Sequence, residues 1–301
     1  MRVFPFVTVD VFTGTRFGGN PLAVFPDARG LSDAEMQALA AEFNLSETTF
    51  VLPPADPGNS ARVRIFNRTA EMPFAGHPNV GTGWVLAQGG RDRDGVLRFE
   101  EIAGLVEVRV ERDAGTGEPT GATIAAPQPL SLGPEMPADL LAGCVGLAPA
   151  DILEGAHRPV LASVGNSFVL AEVAPEALSR AVPDLARFRT AAAAFPAAGS
   201  GRLPVYLYAR EDGDTRRLRA RMFSPLSGTV EDAATGSAAT PLAALLLSLG
   251  GGGPEARFEI TQGVEMGRPS LLHAAARHTP DGIRATVGGG CVPVLRGEAL
   301  V

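Results

Sequence analysis

Lysine is absent from this chain of 301 residues, so that all 26 residues counted as Lys or Arg are arginine. Without a lysine the protein cannot form a Schiff base with a carbonyl substrate or with pyridoxal phosphate. The P-loop lysine of nucleotide-binding proteins and the strand lysine of protein kinases are excluded as well. A chain rich in Arg, Ala, Gly and Pro is typical of a GC-rich genome, which by itself explains the absence.

Cysteine is scarce, because only Cys144 and Cys291 occur, far apart and outside any CxxC pattern. A disulfide scaffold and a zinc cluster are therefore not expected. The strongest apolar stretch, Leu242 to Leu249, is too short to cross a bilayer. The net charge is −7 without a basic stripe, which argues against nucleic acid, and the N-terminus alternates like a strand rather than a signal peptide. We expect a cytoplasmic globular protein with no metal, no membrane anchor and no nucleic-acid partner.

Apolar residues make up 45% of the chain, enough for a substantial core in each of two domains. The polar, glycine-rich connection from Asp113 to Gly121 is the predicted boundary, so that the first domain covers 1–118. Within it, Ser32 and Glu35 form a capping-box pattern. Apolar residues at helical spacing follow and predict a helix that ends near Asn44.

One segment of the first half carries no charge from Phe74 to Gln88. Pro78 suits the first turn of a helix, and the two glycines after Gln88 suit its end. A helix that is apolar all round is buried on every side. We therefore predict a helix wrapped by strands.

The second half repeats this pattern. Arg64-Ile-Phe66 precedes the pair Gly76-His77 in the first half. Arg221-Met-Phe223 precedes the pair Gly236-Ser237 in the second, and a helix of small and apolar residues follows each pair. Because strand, turn, Gly-polar pair and helix come in the same order twice, an internal duplication explains the pattern better than chance. The simplest architecture is two similar halves whose helix starts face a shared cleft.

Each repeat places a glycine at a helix start, where backbone N–H groups lack partners within the helix and the dipole is positive. Glycine also lets an anion approach the backbone closely. Helix starts at Gly76-His77 and Gly236-Ser237 would suit the carboxylate or the developing enolate of a small acid. The same spacing is compatible with two ordinary capped core helices.

Three side chains close to these positions are candidates for acid/base chemistry. His77 stands at a helix start, which lowers an imidazole pKa and favours a neutral proton relay, although a satisfied core histidine is the alternative. Asp232 follows Glu231 and could reach the cleft, whereas acidic residues before a helix are often caps. Glu47 opens a strand and could be a partly buried general acid/base, although a surface glutamate is the default.

These segments together resemble the phenazine biosynthesis PhzF family, a branch of the diaminopimelate epimerase-like fold. Any one motif alone would be weak, but the combination is specific and follows the family's order over nearly the whole chain. A minor departure is Ala233, where the family often has proline. The motifs are Asp10-Val-Phe12, Gly19-Asn-Pro-Leu-Ala-Val-Phe25, Leu45-Ser-Glu-Thr-Thr-Phe-Val51, Phe74-Ala-Gly-His-Pro78, Gly165-Asn166 and Glu231-Asp-Ala-Ala-Thr-Gly-Ser-Ala-Ala239.

The resemblance implies an α+β fold of two similar domains, each a β-barrel-like sheet wrapped around a central helix, with the active site between them. It also implies that a C-terminal strand, about 284–301, returns to complete the first domain, which leaves 119–283 to the second. A homodimer is the assembly that the family suggests.

The resemblance further implies a cofactor-independent isomerase that shifts a proton on a small carboxylate-bearing substrate, for which dihydro-3-hydroxyanthranilate is the candidate. Glu47 would remove a proton from a substrate carbon and return it elsewhere. Backbone N–H groups at the two helix starts would hold the substrate carboxylate. The implied catalytic residues are Glu47, His77 and Asp232, and the implied substrate-binding residues are Gly76, Gly236 and Ser237.

Two other functions compete with this interpretation. Diaminopimelate epimerases and proline racemases of this fold place a catalytic thiol just before the glycine of each helix start, where this chain has Ala75 and Thr235. Neither residue ionises as a thiol does, which disfavours a two-thiol epimerase or racemase. A non-catalytic binder of small carboxylates or of a protein partner is the alternative, and the intact set of acid/base residues argues against it.

Overall fold

A computed structural model of the chain divides into two compact units, of which the first comprises Met1–Ala125 with Gly288–Val301 and the second Ala126–Val287. The limits expected from the sequence differ from these by a few residues, and the assignment of two domains stays a prediction. The residues that the structure describes are 1–199, 201–211, 214–250 and 253–301.

The strands are numbered in chain order over the described residues. Most are short, whereas the last is long and runs from the second unit into the first. They are β1 Val3–Val11, β2 Asn20–Phe25, β3 Glu47–Leu52, β4 Ala61–Phe66, β5 Glu71–Met72, β6 Val96–Glu101, β7 Gly104–Arg112, β8 Pro119–Ala125, β9 Ser131–Glu135, β10 Ile152–Leu153, β11 Val160–Ser163, β12 Ser167–Val173, β13 Val205–Glu211, β14 Asp214–Ser224, β15 Thr229–Asp232, β16 Glu255–Gln262, β17 Ser270–Thr279 and β18 Gly282–Leu300.

The helices fall into central and outer ones. α2 and α6 are buried over nearly their whole length, whereas the others bury part of their surface. The α-helices are α1 Asp33–Phe43, α2 Gly76–Gln88, α3 Ala138–Cys144, α4 Pro175–Leu178, α5 Leu185–Ala194 and α6 Gly236–Leu249.

The sheet of the first unit closes on itself. β1 pairs with β2, β2 runs parallel to β3, and β3 pairs with β4. β4 runs parallel to β6, which continues through β7 to β8 in antiparallel pairs. Both β8 and β1 pair with β18, so that β18, β1, β2, β3, β4, β6, β7 and β8 form a closed barrel.

The sheet of the second unit has a related order. β9 pairs with β11, β11 with β12, and β12 runs parallel to β13. β13 continues to β14, which runs parallel to β16, and β16 pairs with β17. The segment before β9 is tied to β18, because the N–H groups of Ala126 and Leu130 donate to the carbonyls of Ala285 and Ile283 at 2.9 and 2.8 Å.

The two units share their strand pairings. The pairs β2–β3, β3–β4, β4–β5, β4–β6 and β6–β7 of the first unit match β12–β13, β13–β14, β14–β15, β14–β16 and β16–β17 of the second in order and in direction. In both units the central helix follows the short strand that pairs back onto its predecessor, β5 or β15. The fold class predicted from the sequence, two similar halves with barrel-like sheets around central helices, is confirmed.

The central helix of the first unit fits its barrel because it is built from small residues. α2 contacts β1, β2, β3, β7 and β8. A Cβ atom added at Gly81 would lie 2.7 Å from both Leu22 Cδ2 and Val11 Cγ2, and one at Gly83 would lie 2.5 Å from Val108 Cγ1. Real Cβ atoms do not approach other atoms so closely. The strands can therefore pack this tightly against α2 at positions 81 and 83 only because both residues are glycine.

The outer helix α1 forms as its capping box predicts. The Ser32 hydroxyl accepts from the backbone N–H of Glu35, and the Glu35 carboxylate accepts from the backbone N–H of Ser32 at 2.8 Å. The helix ends at Asn44 in the left-handed conformation, with φ 51°. Its Met36 and Ala40 pack on an aromatic cluster formed by Phe4, Phe25, Phe50 and Phe66. In the part of the chain that the structure describes, no helix combines the length and apolar character needed to cross a membrane.

Replacing Gly81 by alanine tests the close approach of α2 to the barrel. The added methyl group overlaps Leu22 and Val11, and this overpacking outweighs the gain in helix propensity of about 1 kcal/mol. We expect the free energy of unfolding, measured in urea, to fall by about 1 kcal/mol. Gly89→Ala is the control, because φ is −86° there and the nearest atom to the new Cβ is the Leu86 carbonyl oxygen at 3.4 Å. Equal stability of Gly81→Ala and the wild type would contradict the packing described.

Candidate functional site

In the first unit Glu47 and His77 lie side by side. Glu47 is the first residue of β3 and His77 the second of α2, and Glu47 Oε2 is 3.4 Å from His77 Nε2. The two side chains are 16% and 6% exposed. On the other side of the ring, Asn20 Nδ2 is 3.3 Å from His77 Nδ1, and Asn20 Oδ1 accepts from Ser46 Oγ at 3.3 Å. Because Nδ1 accepts from this amide, the ring proton of neutral His77 belongs on Nε2, facing Glu47.

His77 is neutral over the whole physiological range, since burial lowers its pKa to about 3. The lowered pKa was expected from the helix start, but its cause is desolvation. The contact with Glu47 is therefore between a carboxyl group and a neutral imidazole rather than an ion pair. Nε2 is buried and has no hydrogen-bond partner among the described residues, so His77 is not simply a core histidine with both nitrogens satisfied.

In the second unit Asp232 is fastened to the start of the central helix. It is the last residue of β15, and its Oδ2 accepts from Thr235 Oγ1 at 2.6 Å. Gln262 holds the same turn, because its Nε2 donates to the Asp232 carbonyl at 2.8 Å and its Oε1 accepts from the Thr235 N–H at 3.1 Å. Tyr206 OH donates to the same Oε1 at 3.1 Å. Nothing in the sequence patterns indicated that Gln262 and Tyr206 support this turn.

Both central helices begin without a capping side chain. Ala75 and Thr235 stand at their N-cap positions, neither makes a side-chain bond to the helix, and no acidic residue occurs in either first turn. Among the outer helices, Ser32 caps α1 and Asp184 caps α5, whereas α3 and α4 lack a capping side chain but carry Asp139 and Glu176 in their first turns. Among the described α-helices, only α2 and α6 begin with neither a capping side chain nor an acidic residue in the first turn, and such a start favours an anion.

The residues predicted from the sequence fall into two groups. Each group joins a helix start to a carboxyl side chain of its own unit. The first unit holds Glu47, Gly76 and His77, and the second holds Asp232, Gly236 and Ser237.

Each unit also holds the segment before its central helix with a two-bond ion pair, which we call the Arg–Glu clamp. Arg64 binds Glu71 at 2.7 and 2.6 Å, and Arg221 binds Glu231 at 2.8 and 2.9 Å. Each arginine also lies over the ring of the phenylalanine two positions later, at 5.1 and 4.8 Å from the ring centre. The glutamate stands five residues before the helix in both units. The repeated Arg-x-Phe pattern was the sequence signal of these clamps, but it did not identify their partners.

The second clamp separates the roles of two neighbouring acids. Glu231 is bound by Arg221, which also donates to the carbonyls of Leu178 and Ala181 at 3.0 and 2.8 Å. Asp232 is directed to Thr235 instead. The sequence left open which acid is structural, and the geometry assigns that role to Glu231.

Thiol chemistry has no support at either helix start. The residues immediately before Gly76 and Gly236 are Ala75 and Thr235. Cys144 is buried, and burial followed by the nearby Asp184 raises its pKa to about 11. Cys291 is buried as well, and burial raises its pKa even more than that of Cys144. Among the described residues, no group of three or more His, Cys, Asp or Glu side chains is arranged to hold a metal ion.

The chain is similar to a known family over nearly its whole length. Residues 9–297 match the profile of the family described as phenazine biosynthesis-like protein, PhzC-PhzF. An uncharacterized isomerase of Mesorhizobium japonicum is 37% identical, with all of both chains covered. The trans-2,3-dihydro-3-hydroxyanthranilate isomerase of Pseudomonas aeruginosa is also 37% identical, over 98% of this chain and 99% of the relative.

Solved structures show the same fold. The phenazine biosynthesis protein of the PhzF family from Bacillus anthracis superposes with a TM-score of 0.88 and covers all of both chains at 24% identity. At this identity the likeness concerns the fold alone.

Replacing Arg221 by methionine tests the clamp of the second unit. The change leaves the Glu231 carboxylate and two carbonyls without their donor in a site where the Arg221 side chain is 7% exposed. Breaking such a buried pair should lower the free energy of unfolding by about 3 kcal/mol, measured in urea. Arg217→Met on the same strand is the control, because that side chain is 57% exposed and its loss should change stability by less than about 0.5 kcal/mol. Similar losses in both variants would rule out a structural role of the clamp.

The buried neutral His77 makes stability depend on pH. Its pKa is about 3 in the folded protein and about 6.5 in the unfolded chain, so the unfolded chain takes up the proton first. The stability that the folded protein gains from neutral His77 is fully present above the pKa of the unfolded chain. It is lost as the pH falls towards the pKa that His77 has in the folded protein. Between about pH 7 and about pH 5 we expect the wild type to lose about 2 kcal/mol more unfolding free energy than His77→Gln. Exposed His273→Gln should follow the wild type; parallel curves for His77→Gln would mean that His77 takes up its proton equally in the folded and the unfolded chain.

Proposed function

Because this chain belongs to the phenazine biosynthesis-like family PhzC-PhzF and is an isomerase, we propose that it shifts a proton on a small carboxylate-bearing substrate without a cofactor. One observation carries the proposal: a carboxyl group and a neutral imidazole meet beside an uncapped helix start. This arrangement combines a proton carrier with donors for an anion, which a structural helix start does not need.

Glu47 is the proton carrier in this mechanism. Its carboxylate takes a proton from a substrate carbon, the double bonds of the substrate shift, and Glu47, whose carboxyl proton can exchange with solvent, delivers a proton to a different carbon. One C–H bond breaks and another forms, so that no oxidant, reductant or cofactor enters the balance. A positioned acid/base of this kind contributes about 10²–10⁴-fold to the rate.

His77 supports Glu47 without changing its own charge. Its Nε2–H faces Glu47 Oε2 at 3.4 Å without forming a hydrogen bond, and a neutral ring stabilises the carboxylate less than an imidazolium ion would. Glu47 can therefore accept and release a proton with a smaller energetic difference between its two states. A low imidazole pKa is what keeps the donor neutral here.

The helix starts bind the anionic part of the substrate in this proposal. N–H groups at Gly76, Gly236 and Ser237 hold the carboxylate and stabilise the negative charge that develops as the proton leaves, each donor contributing about 3 kcal/mol. Asp232, from the second unit, is the third catalytic residue beside Glu47 and His77. The substrate then occupies the cleft between the two units that the family resemblance implies.

The substrate candidate comes from the relatives. The Pseudomonas aeruginosa protein is named for trans-2,3-dihydro-3-hydroxyanthranilate, a compound that carries a carboxylate as the two helix starts require. Homodimer formation, which the family resemblance suggests, and the cytoplasmic location expected from the sequence complete the proposal.

A non-catalytic binder of small carboxylates or of a protein partner is the alternative within this fold. Open helix starts would serve such a binder equally well. It has no use for a carboxyl group that faces a buried neutral histidine, which favours the enzyme. An epimerase with two thiols is disfavoured because Ala75 and Thr235 precede the helices.

Exchange of solvent deuterium into trans-2,3-dihydro-3-hydroxyanthranilate tests the role of Glu47. Glu47→Gln keeps the size of the side chain but cannot carry the proton, so exchange and turnover should fall by at least about 10²-fold. Binding measured by calorimetry should persist, because the helix N–H groups are unchanged.

Glu42→Gln is the matched control, since Glu42 is exposed on helix α1. It should exchange deuterium at the wild-type rate. Full exchange in Glu47→Gln would overturn the role of Glu47, whereas wild-type protein that binds the compound without turnover or exchange would favour the binder.

A further inference from the structure

Glu101 is a buried acid that the proposed chemistry does not use. It is the last residue of β6 and pairs with Gly104 of β7. Both of its carboxyl oxygens are shielded from solvent, and neither has a hydrogen-bond partner among the described residues. A buried carboxyl group in this condition is strongly unfavourable when charged, so its presence requires a reason.

The neighbour of Glu101 is Asn79, which lies one turn into the central helix α2. Asn79 Nδ2 donates to the carbonyl of Ala75 at 3.0 Å, and Ala75 is the residue immediately before the helix. Asn79 Oδ1 is buried and, within the described residues, accepts no hydrogen bond. Asn79 is close enough to Glu101 to influence its ionisation. Two side chains whose buried oxygens lack a partner in the described part of the chain therefore lie close together, one of them near the start of α2.

Glu101 is protonated at neutral pH, because burial raises its pKa to about 8 against a smaller lowering by Asn79. The titratable groups on the packed elements do not oppose this state. His77 on α2 is neutral, Glu100 on β6 accepts from backbone N–H groups of a surface loop, and Glu107 on β7 binds an exposed arginine. A protonated carboxyl group has an O–H to donate.

We propose that Glu101 is a positioning residue for the helix start of the first unit. Its O–H donates to Asn79 Oδ1, and Asn79 in turn holds the carbonyl of Ala75. This chain of two hydrogen bonds fixes the direction of the N–H groups that follow, at Gly76 and His77. Its effect on catalysis rests on the proposed function, whereas the coupling itself does not.

Ionisation of Glu101 breaks the chain. The carboxylate has no proton to donate, and it repels Asn79 Oδ1 while attracting Asn79 Nδ2. The amide group must then turn away from Ala75, which releases the turn before α2. Glutamine at position 101 avoids this change, because its amide N–H donates to Asn79 at every pH.

Nuclear magnetic resonance tests the coupling without any substrate. In wild-type protein we expect the Glu101 carboxyl carbon to titrate near pH 8. The backbone amides of Gly76 and His77 should shift with the same midpoint. Glu101→Gln should abolish the amide shifts, and Asn79→Leu should abolish them while Glu101 still titrates. Glu100→Gln, a change of the adjacent carboxylate, should leave them as in the wild type.

Kinetics with trans-2,3-dihydro-3-hydroxyanthranilate measure the consequence for the reaction. Wild-type kcat should fall above about pH 8, and Glu101→Gln should lose this alkaline decline with KM unchanged. Glu101→Leu leaves Asn79 Oδ1 without a donor and should lower kcat by about tenfold at every pH.

The outcomes separate the two proposals. Wild-type protein that neither turns over nor exchanges the compound would overturn the proposed function, and the resonance titration would still decide the role of Glu101. Amides of Gly76 and His77 that do not titrate with Glu101 would overturn the positioning role. If the wild type is active and Glu101→Gln retains the alkaline decline, the positioning role is overturned as well.

Discussion

An uncharged helix lies inside the closed barrel of the first unit, and its burial determines the chemistry near its start. The strands approach so closely that only glycine fits at Gly81 and Gly83, and the residue before the helix, Ala75, carries no polar group that could cap it. The first N–H groups of the helix therefore stay open to an anion. The same burial removes water from His77 and keeps its ring neutral. Helix packing and acid/base character thus share one physical cause.

The segments that lead to the central helices are fixed from outside the helices. Each unit uses an Arg–Glu clamp, with the glutamate five residues before the helix, although the loop before the glutamate is three residues longer in the second unit, since Arg64 to Glu71 spans 7 positions and Arg221 to Glu231 spans 10. The three extra residues thus lie between the arginine and the glutamate of the clamp. The number of residues from the glutamate to the helix is the same in both units. Gln262 adds a second fastening in the second unit. The two units therefore share the geometry near their central helices and differ in the loops before them.

Local patterns indicated much of this arrangement. The capping box of Ser32 and Glu35 marked α1, and the charge-free run from Phe74 to Gln88 marked the buried helix. The repeated Arg-x-Phe and Gly-polar pairs indicated two similar halves, which the strand pairings confirm. Glu47 and His77 were candidates from their positions, and the structure brings them to 3.4 Å. Gln262, Asn79 and Glu101 carried no signal, because their roles depend on partners distant in sequence or on burial.

The amino-acid sequence by itself determined the elements and the class of chemistry, since caps, periodicity and the absence of lysine and of suitably placed thiols act through local covalent structure. Only the tertiary structure decided which groups are charged. Glu231 became a clamp because Arg221 faces it across neighbouring strands, and Glu101 became a neutral acid because the fold buries its carboxyl group near Asn79. Desolvation and partner geometry arise from residues far apart in the chain, so a linear pattern of residue types cannot encode them position by position.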